Sequence, residues 1–284
     1  MTTGLRFPEG PVPAGDGTIV VPEIEGGTLT QVSNGGDRAV LATCGGGPNG
    51  VAFGPDGALY VSNSGGFAFR TDDDGVRHPY AAAPDSQGGA IQRVDPATGA
   101  VTTVATECAG APLGSLNDIV FDPTGCCYVV DTTAGQVVYA DPVSGIIRVA
   151  ADGMQMPNGA GLSPDGTRLY VSETYSGRVL AWDVAAPGTL RGSRDLFVDT
   201  TGHGWDGLSV DGAGNVCVAN LKLSGVSVLS PAGEELDRFV TPQPDPFVTN
   251  IAFDGDTAYV TSAGRGVLYA VDWPWGGLAL DFAP

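Results

Sequence analysis

One phrase, repeated along the chain, limits what this sequence can fold into more than any other feature. It runs Pro48-Asn49-Gly50-Val51-Ala52-Phe53-Gly54-Pro55-Asp56-Gly57 and goes on to Leu59-Tyr60-Val61. It returns as Leu116-Asn117-Asp118-Ile119-Val120-Phe121-Asp122-Pro123-Thr124-Gly125, then Tyr128-Val129. A third copy starts Pro157-Asn158-Gly159, turns at Ser163-Pro164-Asp165-Gly166 and ends Leu169-Tyr170-Val171. A fourth starts Trp205-Asp206-Gly207-Leu208, and a fifth, less regular, starts Thr249-Asn250-Ile251. Pro8-Glu9-Gly10-Pro11 opens a sixth. Six anchor residues result: Glu9, Asn49, Asn117, Asn158, Asp206 and Asn250. They recur about every 40–48 residues except for one longer step, a period proper to stacked or radial repeats. The excess falls in residues 67–87, rich in Asp, Ala, Gly and Pro, which read as a long loop able to act as a lid.

Within each copy the grammar is constant. An alternating apolar segment meets a Pro-Asp-Gly or Asp-x-x-Gly turn, and a second apolar segment follows. Asp-Gly between alternating apolar runs is a hairpin signal. Third strands are predicted at 90–94, 136–139, 178–182, 226–229 and 267–271. Fourth strands are predicted at 101–105 and 147–150, with 278–282 serving the last copy. Residues 184–191 read as a turn-rich insertion. No segment carries sustained helical periodicity. Four antiparallel strands per repeat, six times over, predict an all-β, six-bladed β-propeller, with 1–284 as a single domain. Gly at 44 and Pro at 21, spread along the chain, supply the turns this requires. The sequence leaves two ways to close the ring. The last blade is complete within 248–282, or residues 4–7 pair with it.

The net charge of −19 and a single lysine, Lys222, argue against nucleic acid or an anionic membrane as partner. A small molecule is the expected partner, and a monomer or weak homo-oligomer the expected assembly. Five cysteines, an odd number without CxxC spacing, read as reduced thiols, with Cys126, Cys127 and Cys217 on strands. Met1 to Gly10 contain no apolar leader-like run, and no apolar stretch approaches the ~20 residues of a membrane helix. Together these features point to the cytoplasm.

In a propeller the innermost strand of each blade lines the central channel, so the six anchors converge near one of its ends. Asn-Gly and Asp-Gly are also common turn dipeptides. A turn role does not account for Glu9, because Glu is not a favoured left-handed residue, nor for carboxylates or carboxamides at every anchor. Two carboxylates among neutral amide oxygens form a hard, all-oxygen site for one divalent cation. Ca²⁺ is the first expectation, with Mg²⁺, Mn²⁺ and Zn²⁺ also admitted. His203, three residues before Asp206, reads either as a loop histidine or as a proton shuttle at the channel mouth. Trp205, Phe67, Phe69 and Tyr175 read equally as entrance aromatics or as blade packing.

The Glu-Gly-Pro start, the Leu116–Pro123 copy, the Pro157–Val171 copy and the Trp205–Asp211 copy together resemble the SMP-30/gluconolactonase/LRE-like (regucalcin-like) family, over essentially the whole chain. The resemblance implies a channel cation held by Glu9, Asn158 and Asp206. Asn117 matches an asparagine that touches metal or substrate, and Asp206 the residue proposed as general base or nucleophile. Asn49 and Asn250 lie at corresponding rim positions and are expected to contact substrate, together with Trp205 and Ser115. Sugar-lactonase members carry an arginine where this chain has Ser115. They also carry a glutamate that is not evident around 131–133. The implied activity is metal-assisted hydrolysis of a small cyclic ester, with catalytic roles for Asp206 and His203. The same ligands suit phosphotriester hydrolysis or a Lewis-acid isomerase, dehydratase or cyclase. A non-enzymatic binding propeller is the remaining alternative.

Overall fold

The Asp-Gly turns act through the side chain. In four successive repeats the turn aspartate accepts the amide two residues on: Ala58 N to Asp56 Oδ1 (3.2 Å), Thr124 N to Asp122 (2.9 Å), Thr167 N to Asp165 (3.1 Å) and Ala213 N to Asp211 (3.0 Å). These Asx turns reverse the chain between the first and second strands of a blade. The computed structural model describes residues 1–200 and 204–283. Among them lie six four-stranded antiparallel sheets arranged in a ring, the six-bladed β-propeller that the repeat predicts.

Blade 1 comprises Val12–Pro13, Thr18–Glu23, Thr28–Ser33 and Arg38–Thr43. The innermost strands of the next four blades are Pro48–Phe53, Leu116–Phe121, Pro157–Leu162 and Trp205–Val210. Blade 6 starts with Val248–Asp254, followed by Thr257–Ser262 and Val267–Asp272. Between blades the cores interdigitate. One apolar cluster joins Tyr60 and Ile91 of blade 2 to Leu116, Phe121 and Val129 of blade 3, and another joins Tyr170 and Val179 of blade 4 to Leu208 and Val218 of blade 5. This radial packing buries the apolar face that no blade could bury alone.

Four details differ from the sequence reading. The fourth strand of blade 6 is Thr2–Thr3, which pairs with Leu268 and Val267, so the amino-terminal end closes the ring. Residues 278–282, predicted for that place, form no strand, and residues 4–7 follow the closure, with Leu5 N donating to Gly266 O (3.0 Å). The long segment within 67–87 is a two-stranded ribbon, Phe67–Thr71 with Arg77–Ala82. The 184–191 stretch is the end of a long hairpin, Arg178–Ala186 with Thr189–Val198. The ribbon and the outer end of the long hairpin carry too few buried side chains for their period to stand out. Cys126 lies just ahead of its strand, Cys127–Asp131, and the five cysteines are free thiols.

Candidate functional site

Five of the six anchors, all but Glu9, are aimed by a bulge. The ladder between the first and second strands shifts register at Pro48/Gly50, Leu116/Ile119, Pro157/Ala160, Trp205/Leu208 and Val248/Asn250. An extra residue in one strand turns a side chain out of the pleat, here toward the channel. Hydroxyls of the second strand satisfy the displaced peptides. Gly50 N donates to Ser62 Oγ (3.0 Å) and Gly159 N to Ser172 Oγ (2.8 Å). The same hydroxyls tie neighbouring blades: Ser62 Oγ donates to Asn117 O, and Ser172 Oγ to Asp206 O (2.5 Å).

A second set of side chains grips the loop leading into each anchor. The residue that ends the second strand accepts an amide two or three positions before the anchor. Asn63 Oδ1 takes Gly47 N (2.9 Å), Asp131 Oδ2 takes Gly114 N (2.9 Å), Glu173 Oε1 takes Gln155 N (2.8 Å), and Glu23 takes Arg6 N. Phe7 and Met156, each two residues ahead of an anchor, have φ of 56° and 53°. Left-handed non-glycine residues cost of order 1–3 kcal/mol and persist only where their surroundings enforce them. The clasps supply that enforcement next to Glu9 and Asn158.

All six anchors are buried. Among the described residues, four of them carry a buried oxygen without a hydrogen-bond partner: Glu9 Oε2, Asn49 Oδ1, Asn117 Oδ1 and Asn158 Oδ1. Such atoms are acceptors, and leaving one buried and unpaired costs about 1–3 kcal/mol. Several together describe a place for a cation or for a hydroxyl-bearing ligand. Among the described residues, three His, Cys, Asp or Glu side chains nowhere form a metal-holding group, so a cation here relies on amide oxygens beside Glu9 and Asp206.

Sequence reasoning passed over Asp118, the residue after an anchor. It is buried on the channel, where Oδ1 accepts from Asn250 Nδ2 (2.8 Å) and Oδ2 from Ala160 N (3.2 Å) and Leu208 N (3.4 Å). Three blades thus hold one carboxylate of a fourth. The signal was present in the repeat: the residue after the anchor is glycine in Gly10, Gly50, Gly159 and Gly207, and aspartate here. The glycines make the room. A Cβ on Gly10 would lie 3.1 Å from Asn250 Nδ2 and 3.4 Å from Asp118 Oδ1, and one on Gly207 would lie 2.2 Å from Asn250 Nδ2.

Burial first, and the charges of Asp206 and Asp118 second, push the Glu9 carboxyl well above its ordinary range. Burial and then Asp118 push Asp206 to about 8, and burial pushes Asp118 itself to about 6. Asp118 thus raises both Glu9 and Asp206, and a positive charge placed beside these carboxyls would favour their ionised forms.

The other expected site residues divide. Ser115 borders the mouth, its N–H on Thr133 Oγ1 (2.7 Å) and its carbonyl accepting Thr132 N (2.9 Å). Thr132 Oγ1, which follows the strand ending at Asp131, is likewise buried and without a partner among the described residues. Asn250 Nδ2 donates to Asp118 Oδ1 and Asn250 Oδ1 accepts Ile251 N (2.9 Å), so both ends of its amide are engaged within the fold. Trp205 is core: its indole donates to Gly177 O (2.8 Å) and its ring packs 5.8 Å from Phe197. Phe69 packs on Phe7 (4.9 Å), and Phe67 joins the same cluster with Phe247, while Tyr175 is exposed. The ribbon is therefore docked on blades 1 and 6, where Arg77 also pairs with Glu25. His203 lies outside the described residues.

Comparison with known proteins matches residues 7–264 to the SMP-30/Gluconolactonase/LRE-like region. Pentonolactonase XacC of Haloferax volcanii is 32% identical over 156 residues, 52% of this chain and 53% of that protein. The gluconolactonase of Zymomonas mobilis is 27% identical over 242 residues, 76% of this chain and 61% of that protein. The chain thus spans less than two thirds of the length of either relative. Regucalcin from Agrobacterium tumefaciens, a calcium-binding protein, superposes with a TM-score of 0.73 at 19% identity, covering 98% of this chain and 92% of that one. At that identity the likeness is one of fold.

Proposed function

Because the chain belongs to the SMP-30/Gluconolactonase/LRE-like family, we propose that it is a metal-dependent lactonase that opens a small cyclic ester at the anchor end of the channel. The observation that carries this reading is the set of buried, unpartnered oxygens on Glu9, Asn117 and Asn158 beside the raised carboxyl of Asp206. Those four residues would hold one divalent cation. Ca²⁺ suits an all-oxygen set, and Mg²⁺, Mn²⁺ and Zn²⁺ are alternatives. Bound there, the cation supplies positive charge that polarises an ester carbonyl.

The protein's own groups do the rest. Asp206, ionised once positive charge stands beside it, takes the proton of the attacking water. Asn49 Oδ1 and Thr132 Oγ1, both unpartnered, receive hydroxyl groups of the substrate. Ser115, which replaces an arginine of the sugar lactonases, offers a neutral contact at the mouth, so the substrate carries no compensating anion there. Asp118 and Asn250 keep the floor in place. We take 1–284 as one domain that works in the cytoplasm as a monomer or weak homo-oligomer.

The test is a panel of neutral lactones and phosphotriesters assayed before and after EDTA treatment, with elemental analysis of the purified protein. We expect lactone opening that EDTA removes and Ca²⁺ restores. Turnover of phosphotriesters alone would move the reaction class. A protein that binds no divalent cation and turns over nothing would be a binding propeller.

A further inference from the structure

Below the Asp118–Asn250 pair the channel continues as a cavity of about 240 Å³. Its walls come from the innermost strands of all six blades and include Val12, Val51, Ile119, Leu162, Leu208 and Ile251. Its ceiling is Asp118 and Asn250, and its floor is the carboxy-terminal segment 278–283.

The root of that segment is firmly tied. Trp273 donates its N–H to Asp256 O (2.7 Å) and its indole to Asp211 Oδ2 (3.2 Å). Gly212 N donates to Gly276 O (2.9 Å) and Gly277 N to Gly255 O (2.6 Å). Past Gly277 the support changes in kind. Leu278 packs on the core shared by blades 4 and 5, and Phe282 reaches the cores of blades 1 to 3, its ring 6.0 Å from Phe121. Among the described residues, the one backbone hydrogen bond within 278–283 is internal, Ala283 N to Leu280 O (3.4 Å). The segment is a strap across the lower mouth, fixed at one end by hydrogen bonds and at the other by one phenyl ring.

We propose that this chamber is a ligand site separate from the anchor site, taking a small neutral molecule with an apolar ring and a hydrogen-bonding group, and that the strap is its gate. The wall side chains are mostly aliphatic and phenyl, with Ser163 and Ser209 among them. Each innermost strand pairs on one side only, so its other edge presents peptide groups that a ligand can use. Among the described residues no Arg, Lys or His lines the cavity, whereas Asp118, Asp165 and Asp281 do, so an anion is rejected. An apolar cavity of about 150 Å³ accommodates benzene, so 240 Å³ takes a ring with a short substituent. None of this depends on the lactonase reading or on a cation.

Indole is a suitable probe, used with the full chain. Crystals soaked in indole are expected to show it in the chamber, and the thermal midpoint to rise by a few degrees with indole concentration. Ala252 lines the chamber, and Ala252→Leu should abolish that rise. Phe282→Ala should speed exchange of bound and free indole, read by NMR line shape. The proposal is overturned if saturating indole leaves the chamber without it, or if the thermal rise persists in Ala252→Leu. Should that variant fail to fold, density in the unsubstituted protein decides.

Discussion

Glu9, Asp118 and Asp206 are ordinary carboxylates in the sequence and extraordinary ones in the channel, because burial opposes the ionisation of all three and neighbouring carboxylates oppose that of Glu9 and Asp206 as well. Their folded pKa values lie above the unfolded ones, so the cation-free protein binds more protons folded than unfolded. The contribution of these three groups to stability is then greatest at or below about pH 4 and falls as pH rises through Asp118 near 6 and Asp206 near 8. EDTA-treated protein should lose thermal midpoint steadily from about pH 5 to about pH 9, and Ca²⁺ should restore it. A midpoint that rises over that range in the absence of cation would refute the arrangement. Asp206→Asn keeps the shape and removes the base. Lactone kcat/KM should fall by about 10²–10⁴-fold with the fold intact by circular dichroism, and full activity in that variant would remove Asp206 from the mechanism. Asp206 was readable as an anchor, since it stands where the repeat puts an oxygen donor. Asp118 was not, because its importance depends on Asn250, Ala160 and Leu208 arriving from other blades.

At the scale of the element, the bulge at the start of the innermost strand in blades 2 to 6 carries the site. The bulged glycines stand against the next blade: a Cβ on Gly159 would lie 2.3 Å from Leu208 N and 2.6 Å from the Gly207 carbonyl carbon. Backbone cannot yield as a flexible side chain can, so Gly159→Ala should cost more than about 2 kcal/mol in denaturant unfolding. Gly35→Ala, whose nearest contact would be Ser33 Oγ at 3.5 Å, should be nearly neutral. Equal effects at the two sites would mean that the collar is not tightly packed. The Asx turns and apolar alternation that make these strands were legible as sequence, because they are local. The clasps of Asn63, Asp131 and Glu173 were legible only in part. Each ends a strand in the written repeat, but the amide it accepts lies 16 to 18 residues back.

At the scale of the molecule the ring must close, and it does so through Thr2–Thr3 on Val267–Asp272. Deleting residues 1–4 should lower the thermal midpoint and remove hydrogen-exchange protection from Val267–Asp272 more than from any other outer pairing. Unchanged protection there would show that the closure contributes nothing. The sequence by itself determined the strand class, the number of blades, the turn at each hairpin and the oxygen donors that face the channel. These follow from period, turn chemistry and residue type, which neighbouring residues along the chain express. Only the tertiary structure decided which terminus closes the ring, that Trp205 packs in a blade core, that Asn250 hydrogen-bonds Asp118, and that the carboxy-terminal segment crosses the lower mouth. Each of those depends on contacts between residues tens to hundreds of positions apart. Their distances are set by the closure of the whole ring and by no local preference.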